Sequence, residues 1–109
     1  MLLLLALGCV DGSTETADTA AAMCEAAPDL TWSNWGDGFF ANYCRACHSA
    51  NVEDRWGAPA DINFDTFEEV QQSRGWVHYE VIVAQTMPVG GGVYDEDLEA
   101  LAIFLECGL

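Results

Sequence analysis

Cys44-Arg45-Ala46-Cys47-His48 places two thiols three positions apart with an imidazole directly after the second. This C-x-x-C-H spacing is the attachment pattern of a c-type haem. Two thiols on one turn of chain can add to the two vinyl groups of one porphyrin. The adjoining histidine then lies under the metal and can bind iron through its ring. Two other chemistries use similar residues. A zinc site needs a further pair of ligands at ligand spacing, but the chain has no second C-x-x-C and its only other histidine is His78. A thioredoxin-like dithiol needs a βαβ setting, and no convincing alternating strand occurs here. Haem attachment through Cys44 and Cys47, with His48 as iron ligand, is the reading the residues favour.

Iron held by one histidine has a sixth position to fill. Met87 is the first candidate. The following Pro88 disfavours the α region for Met87, which keeps its backbone extended, and Gly90-Gly91-Gly92 lets the loop lie close to a flat ligand. His/Met is one of the known c-haem axial pairs. His78 is the rival, inside an expected helix between Val77 and Tyr79. A lone helix histidine is more often a surface side chain.

The elements that must position these groups read as helices. Trp32, Trp35, Phe39, Phe40 and Tyr43 recur at near-helical spacing and lead into Cys44, with Thr31 or Ser33 as cap. A loop rich in turn residues is expected from Ser49 to about Asn63. Asp65-Thr66-Phe67-Glu68 reads as a capping box with Asp65 as N-cap, opening a short helix to about Arg74. Gly75 is expected to break it. A third helix follows from Trp76 to about Gln85, with Val77, Val81 and Ala84 on one stripe. The last helix runs from Asp95 to about Cys107, with Leu98, Leu101, Ala102 and Leu105 on its apolar face and Gly108 as C-cap. The fold class is all-α.

The N-terminus reads as export. Leu2 to Leu7 is an apolar run, too short to span a bilayer and suited to the end of a signal peptide. Leu5-Ala6-Leu7-Gly8-Cys9 resembles a bacterial lipobox, with Cys9 as the lipidated residue. Residues 1–8 are thus a signal-peptide remnant. Residues 9–28 are an acidic, Ala- and Thr-rich flexible linker, too poor in large apolar side chains to order itself. Residues 29–109 form the folded domain. Of five cysteines, two are assigned to haem and one to lipid, which leaves Cys24 and Cys107. In an oxidising compartment such a pair suggests a disulfide, the alternative being two independent thiols.

The net charge is -15 and the three basic residues are Arg45, Arg55 and Arg74. Nucleic acid is excluded as a partner, because nothing here neutralises phosphates. The charge would steer a basic docking partner toward the chain, or simply keep an exported protein soluble.

From Trp32 to Gly108 the pattern resembles a small class I cytochrome c. Gly36, Phe40, Cys44, Cys47 and His48 match the family's first helix, Met87-Pro88 its methionine loop, and Leu101 and Phe104 the contact residues of its last helix. The resemblance implies N- and C-terminal helices that cross at Gly36, with short helices and loops around one covalent haem. It places Pro59 where the family keeps a proline whose carbonyl accepts from the axial histidine, which fixes tautomer and ring angle. Trp56, Trp76 and Tyr79 are read first as core aromatics, with a haem propionate as the alternative partner. The implied function is a one-electron carrier with His48/Met87 ligation. The implied setting is a monomer, periplasmic or elsewhere in the cell envelope, touching membrane only through its lipid and meeting redox proteins. The lysine ring that mitochondrial-type members use for docking is absent. Two alternatives stand beside this: a c-haem enzyme with an open sixth site for peroxide or a small gas, and a non-redox exported lipoprotein stapled by a disulfide or metal.

Overall fold

The computed structural model describes residues 20–109. The expected signal remnant, the expected lipidation site Cys9 and the expected linker as far as residue 19 lie outside the described residues. No strand occurs among the described residues, and their regular elements are all helical, as the periodicity implied. No helix among them is long and apolar enough to cross a membrane.

Residues 20–26 are helical (α1), and Cys24 is joined to Cys107 with Cα atoms 5.4 Å apart. This helix falls within the stretch 9–28 that the composition suggested as a linker. A covalent tie to the end of the chain supplies what the Ala-rich composition does not. After Leu30 a π-helical turn, Trp32–Gly36, runs straight into α2, Asp37–Tyr43. Thr31 and Asn34 start it with a reciprocal capping box, in which Thr31 Oγ1 accepts from the Asn34 N–H at 3.1 Å and Asn34 Oδ1 accepts from the Thr31 N–H at 2.7 Å.

α3 spans Phe67–Gln72 and α4 spans Arg74–Val77. α4 continues as a second π-helical turn, His78–Val83. Two boundaries differ from the sequence reading. The N-cap of α3 is Thr66, whose hydroxyl accepts from the Glu69 N–H at 3.2 Å, because the Asp65 carboxylate is taken by Ser49 and Ala50. The break falls at Ser73 (φ -104°, ψ 12°), and Gly75 lies inside α4. α5 spans Asp95–Cys107 and is capped by Gly108. Asp95, Glu96 and Asp97 sit in its first turn, where the helix dipole favours negative charge.

The core is built from Phe39, Phe40, Phe64, Val70, Val77, Val81, Leu101, Phe104 and Leu105. Phe104 of α5 meets Trp35 at 5.5 Å and Phe40 at 6.4 Å between ring centroids. That approach needs Gly36: a Cβ there would stand 2.7 Å from Phe104 Cζ. At the other end of α2, Tyr43 Oη donates to Asp97 Oδ2 at 2.7 Å. These contacts pack the last helix against the first π-turn and α2.

Candidate functional site

α2 ends where the motif begins. The Cys44 and Arg45 N–H groups both donate to Phe40 O, and the Cys47 and His48 N–H groups donate to Cys44 O at 3.3 and 2.9 Å. One tight turn therefore carries both thiols and the imidazole. Arg45, the second residue of the motif, anchors it. Its Nε donates to Phe64 O at 2.7 Å, its Nη2 to Asp37 Oδ1 at 2.6 Å, and its guanidinium lies 5.5 Å from the Trp32 ring centroid.

The thiols of Cys44 and Cys47 remain unpaired while Cys24 and Cys107 are bonded. Burial pushes the Cys44 thiol up to about 12, with Arg45 pulling it back only in part. Cys44 is thus a neutral thiol at neutral pH. Thiol–disulfide exchange runs through a thiolate, and reactive cysteines have lowered pKa values, so Cys44 is not set up as an attacking thiol. Among the described residues no three His, Cys, Asp or Glu side chains gather at a metal-sized site.

His48 is held on several sides. Its Nδ1 lies 2.9 Å from Ile62 O, and its ring faces Phe64 at 5.3 Å between centroids. A carbonyl oxygen can only accept, so the proton resides on Nδ1. The lone pair is left on Nε2, the tautomer a metal ligand needs. The expected partner was Pro59; the structure puts Ile62 there instead. Pro59 O is already engaged, accepting from Arg55 Nη2 at 2.6 Å and from the Ile62 N–H at 3.1 Å. That turn carries the chain round so that the carbonyl three residues later faces the ring. The backbone of His48 is fixed as well, its carbonyl accepting from the Phe64 N–H at 2.9 Å.

Next to it, buried Ser49 donates to Asp65 Oδ1 at 2.6 Å, and the Ala50 N–H donates to Asp65 Oδ2 at 2.9 Å. The Ser49 hydrogen bond, the Ala50 N–H and the nearby Arg45 and Arg55 charges hold the Asp65 carboxyl below its ordinary value, against a smaller opposing effect of burial.

Met87 follows the second π-turn. Its N–H and that of Thr86 both donate to Glu80 O, at 3.1 and 2.9 Å, and the Thr86 hydroxyl bonds the Glu80 carboxylate. Gly90, Gly91 and Gly92 all have φ between 73° and 89°, a run that only glycine adopts readily. The Met87 side chain lines a cleft of about 80 Å³ with Val81, Pro88, Val93 and Leu98. His78 is exposed. Trp56, Trp76 and Tyr79 are not core aromatics, being 79%, 66% and 52% exposed. Trp76, Tyr79 and Val83 recur at helical spacing along α4 and its π-turn and stand open to solvent, while Val77 and Val81 fill the core from the other side. Two apolar stripes on one short helix are more than packing against a single core requires. The second stripe suits a large apolar group.

The sequence reading missed Ile62 and Arg55. A carbonyl contribution leaves no side-chain signature. Arg55 did leave one: it is one of three cations in a chain of net charge -15, within a loop that has no helix to support. No protein-family model, curated protein or solved structure matches this chain.

Proposed function

We propose that the chain is a single-haem, one-electron carrier of the class I cytochrome c kind. The observation that carries the reading is the turn that presents Cys44, Cys47 and His48 together, with His48 Nδ1 committed to Ile62 O at 2.9 Å. The donor set fits the group: two unpaired thiols at C-x-x-C spacing, one imidazole of defined tautomer, and an apolar stripe beside a methionine loop. Cys44 and Cys47 would hold the porphyrin through thioether links, His48 Nε2 would bind iron on one side, and Met87 Sδ is the proposed ligand on the other. When bound, the haem supplies the Fe(III)/Fe(II) couple.

The protein's part is to keep that couple six-coordinate and insulated. Ile62 holds the ring of His48 and its proton. Phe64 and Phe40 keep water from the inner face of the motif turn. The Glu80 carbonyl fixes the backbone of Thr86 and Met87, so the thioether is delivered from a braced loop. Methionine as a ligand raises the reduction potential relative to a second histidine. With His48 and Met87 both bound to it, the iron would keep no open position for a substrate, which would favour an electron carrier over a peroxide- or gas-reactive enzyme. A single-domain carrier, exported and tethered through Cys9, with redox partners that present basic surfaces, completes the proposal.

The test is the visible spectrum of the protein exported through a c-haem maturation pathway. Covalent haem with a low-spin spectrum supports the reading. A chain that matures without haem overturns it.

A further inference from the structure

Arg55 makes more hydrogen bonds than any other side chain among the described residues, and all of them converge on the loop around His48. Nη1 donates to Ser49 O at 2.8 Å and to Asn63 Oδ1 at 2.7 Å. Nη2 donates to Pro59 O at 2.6 Å and to Ile62 O at 2.9 Å, and Nε reaches Ala58 O at 3.4 Å. Ile62 O is the same atom that accepts from His48 Nδ1. One carbonyl therefore receives a neutral imidazole N–H and a guanidinium N–H at equal distance.

We propose that Arg55 is a positioning and tuning residue for His48: it aims the Ile62 carbonyl at the ring and, by sharing that carbonyl, weakens the pull on the Nδ1 proton. The proposal rests on the haem reading above. A hydrogen bond to a charged donor is roughly twice as strong as a neutral one, so Arg55 takes the larger share of the oxygen's electron density. His48 then keeps its proton more firmly and is a poorer electron donor through Nε2. A less basic ligand, with a fixed positive charge one carbonyl away, favours Fe(II) over Fe(III). Both effects raise the reduction potential. The fork geometry matters. A guanidinium reaches Ser49 O, Pro59 O and Ile62 O at once, which a lysine ammonium on a flexible stem cannot reproduce. Among the described residues no carboxylate pairs with Arg55, because the salt bridges there use Arg45 and Arg74. Its charge is therefore not cancelled by a direct contact.

The test compares the wild type with Arg55→Lys and Asn63→Ala, all as matured full-length protein. The readouts are the His48 Nδ1–H resonance of the reduced, diamagnetic form and the reduction potential. Asn63→Ala removes one anchor of the same guanidinium but leaves Ile62 O shared, so it controls for simple loosening of the loop. The expected result is covalent haem in all three. In Arg55→Lys the Nδ1–H signal moves downfield as its hydrogen bond strengthens, and the potential falls. In Asn63→Ala both stay at wild-type values. Covalent haem with an Arg55→Lys protein that matches the wild type, or shifts only as far as Asn63→Ala, overturns the tuning role while leaving the haem reading intact. Absence of haem from the wild type sinks the haem reading itself. If Arg55→Lys does not accumulate, the wild type decides: Arg55 guanidinium protons protected from exchange alongside His48 Nδ1–H support the clamp, and freely exchanging ones refute it.

Discussion

His48 can serve a metal only if its proton sits on the nitrogen facing away from it, and a single backbone oxygen decides that. Ile62 O, 2.9 Å from Nδ1, leaves Nε2 free to bind. The motif was visible in five letters because side chains carry it. The partner carbonyl was not, since every residue has one and only the path of the loop selects it. Pro59 was the expected donor of that carbonyl, and a turn held by Arg55 moved the role to Ile62. On the other side, Met87→Ala should leave haem attached but abolish the weak long-wavelength sulfur-to-iron band and lower the potential, because methionine ligation raises it. An unchanged band would remove Met87 from the ligand set.

Asp65 gives a pH signature at the same scale. Its carboxyl is depressed in the folded state, so the stabilisation it supplies is present above the ordinary carboxylate pKa of about 3.9 and is lost as pH falls below it. Asp65→Ala should flatten that acid limb in a circular-dichroism titration. At neutral pH it should cost about 1–3 kcal/mol in denaturant unfolding, because buried Ser49 loses its acceptor.

At the scale of elements, the helix spans followed from apolar spacing and caps, and the errors came from competition for polar groups and from packing that overrides local propensity. α5 lies at Asp95–Cys107 as its apolar face required. Of the two caps the sequence offered, Thr31 and Ser33, it is Thr31 that caps, with Asn34 closing the box. Asp65 looked like a cap and is not one, because Ser49 and Ala50, distant in sequence, claim it. Gly75 looked like a breaker, yet α4 runs through it. Glycine costs only about 1 kcal/mol in a helix interior, and packing of Val77 and Val81 outweighs that. The π-helical turns left no recognisable pattern in the spacing.

Two glycine substitutions separate packing from propensity. Gly36→Ala should destabilise by about 1–3 kcal/mol through overpacking, since its Cβ would stand 2.7 Å from Phe104 Cζ. Gly38→Ala, two residues further on in α2 with nothing within 4 Å of the added atom, should stabilise by up to about 1 kcal/mol. Thermal melts of the two variants check the pair, and equal effects would show that the helices do not pack as closely as described.

For the whole molecule, a small core is assisted by a long-range tie. The Cys24–Cys107 bond spans 83 residues, for which the loop-entropy model gives roughly 4–5 kcal/mol. Non-reducing peptide mapping should recover these two cysteines joined, and a Cys24→Ser, Cys107→Ser double variant should melt well below the wild type. The charge of -15 with no lysine also acts at this scale. Association with a basic redox partner should slow steeply with added salt, as screening shortens the field to about 8–10 Å near physiological ionic strength. A salt-independent rate would place the contact on apolar surface alone.

The visible spectrum of the matured, exported protein decides whether Cys44, Cys47, His48 and Met87 together hold one redox-active haem. One covalent haem per chain is expected, low-spin, with the long-wavelength sulfur-to-iron band in the oxidised form. Covalent haem that is high-spin and lacks that band would contradict His/Met ligation and the carrier function, and a chain that matures with no haem at all would contradict the whole reading of the motif.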